Sequence, residues 1–269
     1  MTATNYHFID THAHLDGEEF DEDRDLVVAR AREAGVDKVF VPAINLLSVQ
    51  TVLDTCARYP EFAYPMIGLH PEDVKDDWRE VLAQMKQILD ASIEKKTVRF
   101  IAVGEVGLDY YWSREFENQQ LEAFEEQVQW SIETRLPLMI HCRKAQNEMV
   151  RLLKKYEREL PGGVFHCFTG NEKEAAELLQ FPRFVLGIGG VLTFKKSHLP
   201  EVLAEVPIHR IVLETDSPYM APVPMRGKRN EPAFVQHVLE RLAACYQVEP
   251  MEIAAQTNAT VSRVFFGGA

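Results

Sequence analysis

The chain has 269 residues, 46% hydrophobic and 26% charged, enough for one large domain with a sizeable buried core. Its formal net charge of -12 excludes a broad cationic surface for coating duplex nucleic acid. It does not exclude a phosphate ester held locally by bound cations.

Taken in chain order, the first predicted strand is Phe8-Ile9, which runs into Asp10-Thr11-His12-Ala13-His14. Side chains alternate along a strand, so His12 and His14 point the same way, as two imidazoles gripping one metal ion would. A helix is predicted over Asp23–Ala34, with Val27, Ala31 and Ala34 at helical spacing and Gly35 as its stop. Strand Val39–Val41 follows, then a helix over Ser48–Tyr59 that opens on Ser48 as cap. Strand Tyr64–Leu69 leads to a helix over Asp76–Lys96, and strand Phe100–Gly104 to one over Glu115–Arg135. The second half repeats the theme. Strands at Leu138–Ile140, Val164–Phe165, Phe184–Ile188 and Ile211–Leu213 alternate with helices at Asn147–Glu159 and Glu172–Phe181, and helices at Glu231–Tyr246 and Met251–Phe266 end the chain.

The eight strand candidates are near-continuous apolar runs, as parallel strands buried on both faces require. Eight strands alternating with helices predict an α/β fold, a (β/α)8 TIM barrel, as one domain over residues 1–269. A doubly wound open sheet is the alternative, but no GxGxxG turn follows the first strand. The four cysteines, Cys56, Cys142, Cys167 and Cys245, lack CxxC spacing and read as reduced thiols. No apolar run is long enough to span a membrane, and the first six residues lack the pattern of a secretory signal. The expectation is a cytoplasmic monomer.

In a barrel, catalytic residues gather just past the C-terminal ends of the strands. Strand one ends in His12 and His14, strand three in His70, strand four in Glu105, strand five in His141, strand six in His166 and strand eight in Asp216. Read singly, His141 and His166 fit satisfied core histidines, Glu105 a helix cap and Asp216 a turn. Read jointly, they converge on one face. Imidazole and carboxylate suit zinc, and carboxylate also admits magnesium or manganese. Four histidines and two acids exceed one tetrahedral ion but fit two ions. His12 and His14 would serve one metal, His141 and His166 the other, with Glu105 bridging and Asp216 completing the first site. Two ions about 3.5–4 Å apart activate a water and clamp the attacking and leaving oxygens. Asp216 would then act as general base, and Asp10 would orient a ligand histidine or cap a turn.

The segments Asp10-Thr11-His12-Ala13-His14-Leu15-Asp16, Gly68-Leu69-His70-Pro71, Gly104-Glu105-Val106-Gly107-Leu108-Asp109 and Glu214-Thr215-Asp216-Ser217-Pro218 resemble the motifs of the TatD family of metal-dependent deoxyribonucleases. That family is a branch of the amidohydrolase-like TIM barrels. The resemblance spans nearly the whole chain. It implies a divalent-metal hydrolase of the 3′–5′ exonuclease type, with ligands at His12, His14, Glu105, His141, His166 and Asp216. Catalytic roles fall to Asp216 and Glu105, and the cofactors are two divalent ions, Zn2+, Mg2+ or Mn2+. The partners implied are nucleic acid ends, DNA and by extension RNA.

Other residues bear on the substrate. His70 is a candidate for a phosphate or a structural loop position. Arg143 stands two residues past His141, Lys195 and Lys196 follow strand seven, and Arg226, Lys228, Arg229 and Asn230 follow strand eight. These suggest local phosphate recognition, against a plain solvated loop. Tyr110, Tyr111 and Trp112 could stack bases of a frayed strand or cover the barrel top. Two rival functions share the residues: an amidohydrolase or deacylase, for example on aminoacylated RNA, and a non-catalytic metal protein.

Overall fold

The computed structural model describes residues 6–96 and 98–267. The stretch Met1–Asn5, read above for a secretory signal, lies outside them. Eight parallel strands are present: β1 Phe8–Asp10, β2 Val36–Pro42, β3 Ala63–Met66, β4 Val103–Asp109, β5 Leu138–Arg143, β6 Gly163–Phe165, β7 Phe184–Ile188 and β8 Ile211–Leu213. They pair in sequence order as β1-β2-β3 and β4 through β8. Two seams close the ring. The amides of Ile67 and Gly104 bond across the β3–β4 seam to the carbonyls of Ala102 and Ile67. Thr11 N–H donates to the Leu213 carbonyl, and Ala13 bridges Ser217, across the β8–β1 seam. The fold is the expected (β/α)8 barrel.

Helices α1 Arg24–Ala34, α2 Leu46–Arg58, α3 Trp78–Lys95, α4 Glu117–Thr134, α5 Gln146–Lys155, α6 Glu172–Leu178, α7 Leu199–Leu203 and α8 Val235–Tyr246 each follow the strand of the same number. A ninth, α9 Pro250–Phe265, comes last. Two corrections concern helix starts. The cap of α2 is Asn45, whose side chain accepts from Ser48 N–H while Ser48 Oγ accepts from Asn45 N–H, so Ser48 is the other half of a capping box. The segment before α8 is a 3-10 turn, Pro232–Phe234, which leaves Glu231 outside the helix to pair with Arg30 at 2.6 Å. The sequence reading also passed over α7. Its five residues are too short to display a 3.6-residue period.

Inside the ring, every strand or its lead-in contributes to one apolar layer: Ile9, Phe40, Met66, Ile101, Ala102, Met139, Val164, Val185 and Val212. Val261 and Phe265 of α9 join it, with the Phe265 ring 4.8 Å from that of Phe40. So α9 plugs the N-terminal end of the barrel, and chemistry is left to the other end. No helix among the described residues is long and apolar enough to cross a membrane.

Two strands run past their apolar stretch into residues of the site. The predicted fourth strand stopped at Gly104, yet β4 continues through Glu105 to Asp109, and β5 continues through His141 to Arg143. Gly107 makes this pairing possible. Its φ is +141°, and a Cβ there would lie 1.9 Å from the His141 carbonyl oxygen. Gly107→Ala should therefore push β5 away at the residue carrying His141. We expect a loss of about 2–4 kcal/mol from backbone strain and overpacking, measurable by denaturant unfolding.

Candidate metal centre

Glu105 is the hub. Its backbone sits in β4 after a cis Gly104–Glu105 peptide, and its carboxylate is buried among five histidines. Glu105 Oε2 lies 3.1 Å from His12 Nε2 and 3.7 Å from His14 Nε2. Glu105 Oε1 lies 3.0 Å from His141 Nδ1, 3.4 Å from His70 Nε2 and 3.8 Å from His166 Nε2. The two oxygens of one carboxylate thus face two different sets of imidazoles. Asp216, just past β8, brings Oδ1 to 3.6 Å from His14 Nε2, 3.7 Å from His166 Nε2 and 3.9 Å from His12 Nε2.

The backbone at these positions is shaped for convergence. Asp216 has a φ of 57°, in the left-handed region that Asp tolerates better than most residues, and its N–H donates to the His12 carbonyl. Of the two roles open to Asp10, orienting a histidine ring or capping a turn, its bonds fit the second, to backbone and hydroxyl. It accepts from Thr215 N–H at 2.9 Å, Thr215 Oγ1 at 2.6 Å and His12 N–H at 3.3 Å. One carboxylate therefore pins the ends of β1 and β8 together. Burial pushes it up to about 8, against the pull of those hydrogen bonds.

Two further acids hold ligand candidates from behind, and the sequence reading assigned neither a role. Asp109 Oδ2 is 2.8 Å from His141 Nε2, and Glu214 Oε2 is 3.0 Å from His166 Nδ1. Glu214 Oε1 also accepts from Cys167 N–H. Gly187 lets Glu214 lie against β7, since a Cβ there would meet its Oε2 at 2.2 Å. Both acids stand in the strand-end motifs, but spacing does not show which histidine each one meets.

Each titration follows from this crowding. Burial alone would raise the Glu105 carboxyl, but His70, His12 and His141 hold it well below the usual carboxylate range. Burial likewise opposes ionisation of Asp216, and His14, His166 and His12 outweigh it. Burial would lower His141, yet Asp109 and Glu105 raise it to about 9. His166 rises to about 10 through Glu214, Glu105 and Asp216, again against burial. His12 moves down, through burial and the His166 ring stacked 3.6 Å away.

These residues fit divalent ions. Both ring nitrogens of His12 are fully buried and lack an aligned hydrogen-bond partner, although Nε2 is close to Glu105. Buried imidazoles left that way want a ligand. Ligand atoms of three overlapping groups lie within 4.8 Å of one another: His12, His14 and Asp216; His12, Glu105 and His166; His70, Glu105 and His141. His70 joins His141 on the Oε1 side, and His166 lies near both sets, 3.8 Å from Oε1 and stacked on His12.

The substrate candidates separate. His70 joins the hub, its Nδ1 accepting from Glu72 N–H. Arg143 and Arg226 are exposed, their guanidinium groups lying over Tyr111 at 3.6 Å and Phe194 at 3.9 Å. Lys195, Lys196 and Lys228 are exposed as well. Asn230 differs from expectation. It is fully buried, and its amide donates to the carbonyls of Thr215 and Tyr219, so it fixes the loop after β8 and has no donor left for a substrate. Arg229 is tied to Asp23 at 2.8 Å and lies over Phe20.

Residues 9–266 match the model of the TatD-related DNase family. The metal-dependent hydrolase YabD of Bacillus subtilis (strain 168) is 38% identical over 257 residues, covering 95% of this chain and 98% of that protein. The 3′-5′ ssDNA/RNA exonuclease TatD of Citrobacter rodentium (strain ICC168) is 34% identical, covering 95% and 97%. The crystal structure of YJJV, a TatD homologue from Escherichia coli K12, superimposes with a TM-score of 0.87 at 31% identity, covering 96% and 98%. Hub, barrel and full-length likeness agree, and this metal-dependent hydrolase belongs to the family of TatD-related DNases.

Proposed function

We propose that the chain hydrolyses phosphodiester bonds at the ends of single-stranded nucleic acid, as a two-metal exonuclease of the 3′–5′ type. The observation that carries this reading is the split of Glu105. With Oε2 among His12 and His14 and Oε1 among His141 and His166, one carboxylate is positioned to bridge two ions, with Asp216 completing the His12 side. Zn2+, Mg2+ and Mn2+ all suit such donors. When bound, two divalent ions lower the pKa of a water and offset charge on a phosphate oxygen.

The residues supply the rest. Asp216 is the most open of the central carboxylates, 17% exposed at its side chain against 4% for Glu105. Held ionised by its histidine neighbours, it takes the proton of the attacking water. Bound ions would offset the charge of Glu105, Asp216, Asp109 and Glu214 locally and so let a phosphate approach despite the acidic chain. His70 stands beside it, and Arg143 and Arg226 flank the mouth. The four free cysteines suit a reducing, cytoplasmic setting.

A substrate panel tests the reading. Protein loaded with Mg2+, Mn2+ or Zn2+ should shorten a 5′-labelled single strand from its 3′ end. Intact DNA and RNA alongside cleaved amides or aminoacyl esters would replace it with a deacylase.

Two more outcomes follow from the titrations and the hydrogen bonds. Near neutral pH the ion-free chain carries protons on His141 and His166, whose values of about 9 and about 10 lie above it. Ligation needs neutral imidazole, so metal binding should release about two protons per chain and tighten as pH rises toward those values. A pH-stat titration with Mn2+ reads this directly. Glu214→Gln should weaken metal binding about 10–100-fold. Its amide N–H would face His166 Nδ1 and place the ring proton on Nε2, the nitrogen aimed at Glu105 and Asp216. Calorimetry showing unchanged affinity would remove Glu214 from this role.

A further inference from the structure

We propose that Tyr111, Trp112 and Arg143 form a reading platform for the terminal unpaired bases of the substrate, with the Arg143 fork turned to the phosphate beside them. The inference rests on the nucleic-acid reading above and assigns the residues that would hold the unpaired end. As the chain leaves β4, Tyr110 turns inward, while Tyr111 is 48% and Trp112 71% exposed. Two adjacent exposed aromatics at the mouth of a hydrolytic barrel are a binding feature more than a packing one. Their rings meet edge to face at 4.7 Å and 86°, forming a corner. The Arg143 guanidinium sits in that corner, 3.6 Å over Tyr111 and 5.4 Å from Trp112.

Like Arg226 over Phe194, Arg143 lacks the bonded acid that most ring-stacked arginines hold, and Arg143 sits between two exposed aromatics. The chain has 41 Asp and Glu against 29 Lys and Arg. Accordingly Arg58, Arg79, Arg114 and Arg229, also stacked on rings, each hold a carboxylate: Asp25, Glu122, Glu117 and Asp23. Among the described residues, the Arg143 side chain makes ring contacts but no hydrogen bond or ion pair. Its planar fork is pre-oriented by the rings, and its donors match a phosphate. Arg32 also lies over a ring, that of Phe62, without an acid, but on the last turn of α1 before the chain re-enters β2.

The platform is wired to the hub. Tyr111 N–H donates to Asp109 Oδ1 at 2.8 Å, and the other oxygen of Asp109 holds His141 Nε2. His141 Nδ1 in turn contacts Glu105. Arg143 follows His141 by two on β5 and so shares its face. A base lying on Trp112 leaves its own phosphate within reach of Arg143 and the next one toward the hub. Stacking of this kind tolerates any base, because each has a π-face, but it requires the base to be unpaired.

Fluorescence tests the platform apart from the chemistry. Trp78 and Trp130 are each 3% exposed, so a ligand-dependent change in tryptophan emission reports Trp112. Metal-loaded protein titrated with a cleavage-resistant phosphorothioate thymidine pentamer should show saturable quenching. A pentamer with abasic terminal positions should bind about tenfold more weakly, and Trp112→Ala should raise KM for single strands about tenfold with little change in kcat. Trp112→Phe should keep that KM while losing the optical signal. Cleavage of single strands without quenching, and with KM unmoved in Trp112→Ala, would overturn the platform and leave the proposed function intact. Quenching without cleavage of any nucleic acid would retain the platform and overturn the proposed function. Absence of both overturns both.

Discussion

Glu105→Ala is expected to lower kcat/KM by at least about 10³-fold and to reduce bound metal from the proposed two ions per chain to one or none. The size of the effect follows from the position of the carboxylate. Both oxygens are engaged, each by a separate set of histidines, so one truncation removes the carboxylate at the centre of both. Losing several kcal/mol of charge stabilisation corresponds to that many decades at about 1.4 kcal/mol each. Glu105→Gln separates charge from shape, since it keeps the side-chain volume while removing the anion. It should fail in catalysis nearly as completely as Glu105→Ala, and a thermal melt would establish that both variants fold. Wild-type turnover in Glu105→Gln would mean that the histidines alone hold what the reaction needs.

Asp216→Asn ranks second. Removing a general base costs about 10²–10⁴ in rate, and here the variant also loses an anionic contact shared by His12, His14 and His166. The loss should fall mainly on kcat and should shrink as pH rises, because solvent hydroxide substitutes for the missing base. That pH slope separates a base from a purely structural acid. If Asp216→Asn stays within a factor of two of wild type at every pH, Asp216 takes no proton. Structurally the substitution is mild: Asn also tolerates the left-handed backbone that Asp216 adopts, with φ at 57°.

The barrel was legible because its strands are short apolar runs separated by amphipathic helices, and a parallel sheet covered on both faces admits little else. What escaped was polar content within strands. An apolar-run criterion ends β4 at Gly104 and β5 at Ile140, whereas the ladder continues through Glu105 and His141 because those side chains face the open end of the barrel. The convergence of His12, His14, Glu105, His141, His166 and Asp216 could be read from their places at successive strand ends. How they divide between the two oxygens of Glu105 could not, since His70 enters the hub and His166 stacks on His12 only through side-chain geometry. Asn230 misled for a related reason. A polar residue in a basic loop looks like a ligand contact, but its amide satisfies two backbone carbonyls at the point where the loop after β8 turns. Asp109 and Glu214 were visible in the motifs yet silent about their role, because the orienting of a histidine is a property of distance rather than of spacing.

The central claim is that Glu105 joins two divalent ions. Crystals grown with Mn2+ or Zn2+ and measured at the metal's absorption edge test it most directly. The account predicts two anomalous peaks per chain, about 3.5–4 Å apart, one on each oxygen of Glu105. A single peak, or two peaks of which neither touches Glu105, would contradict it.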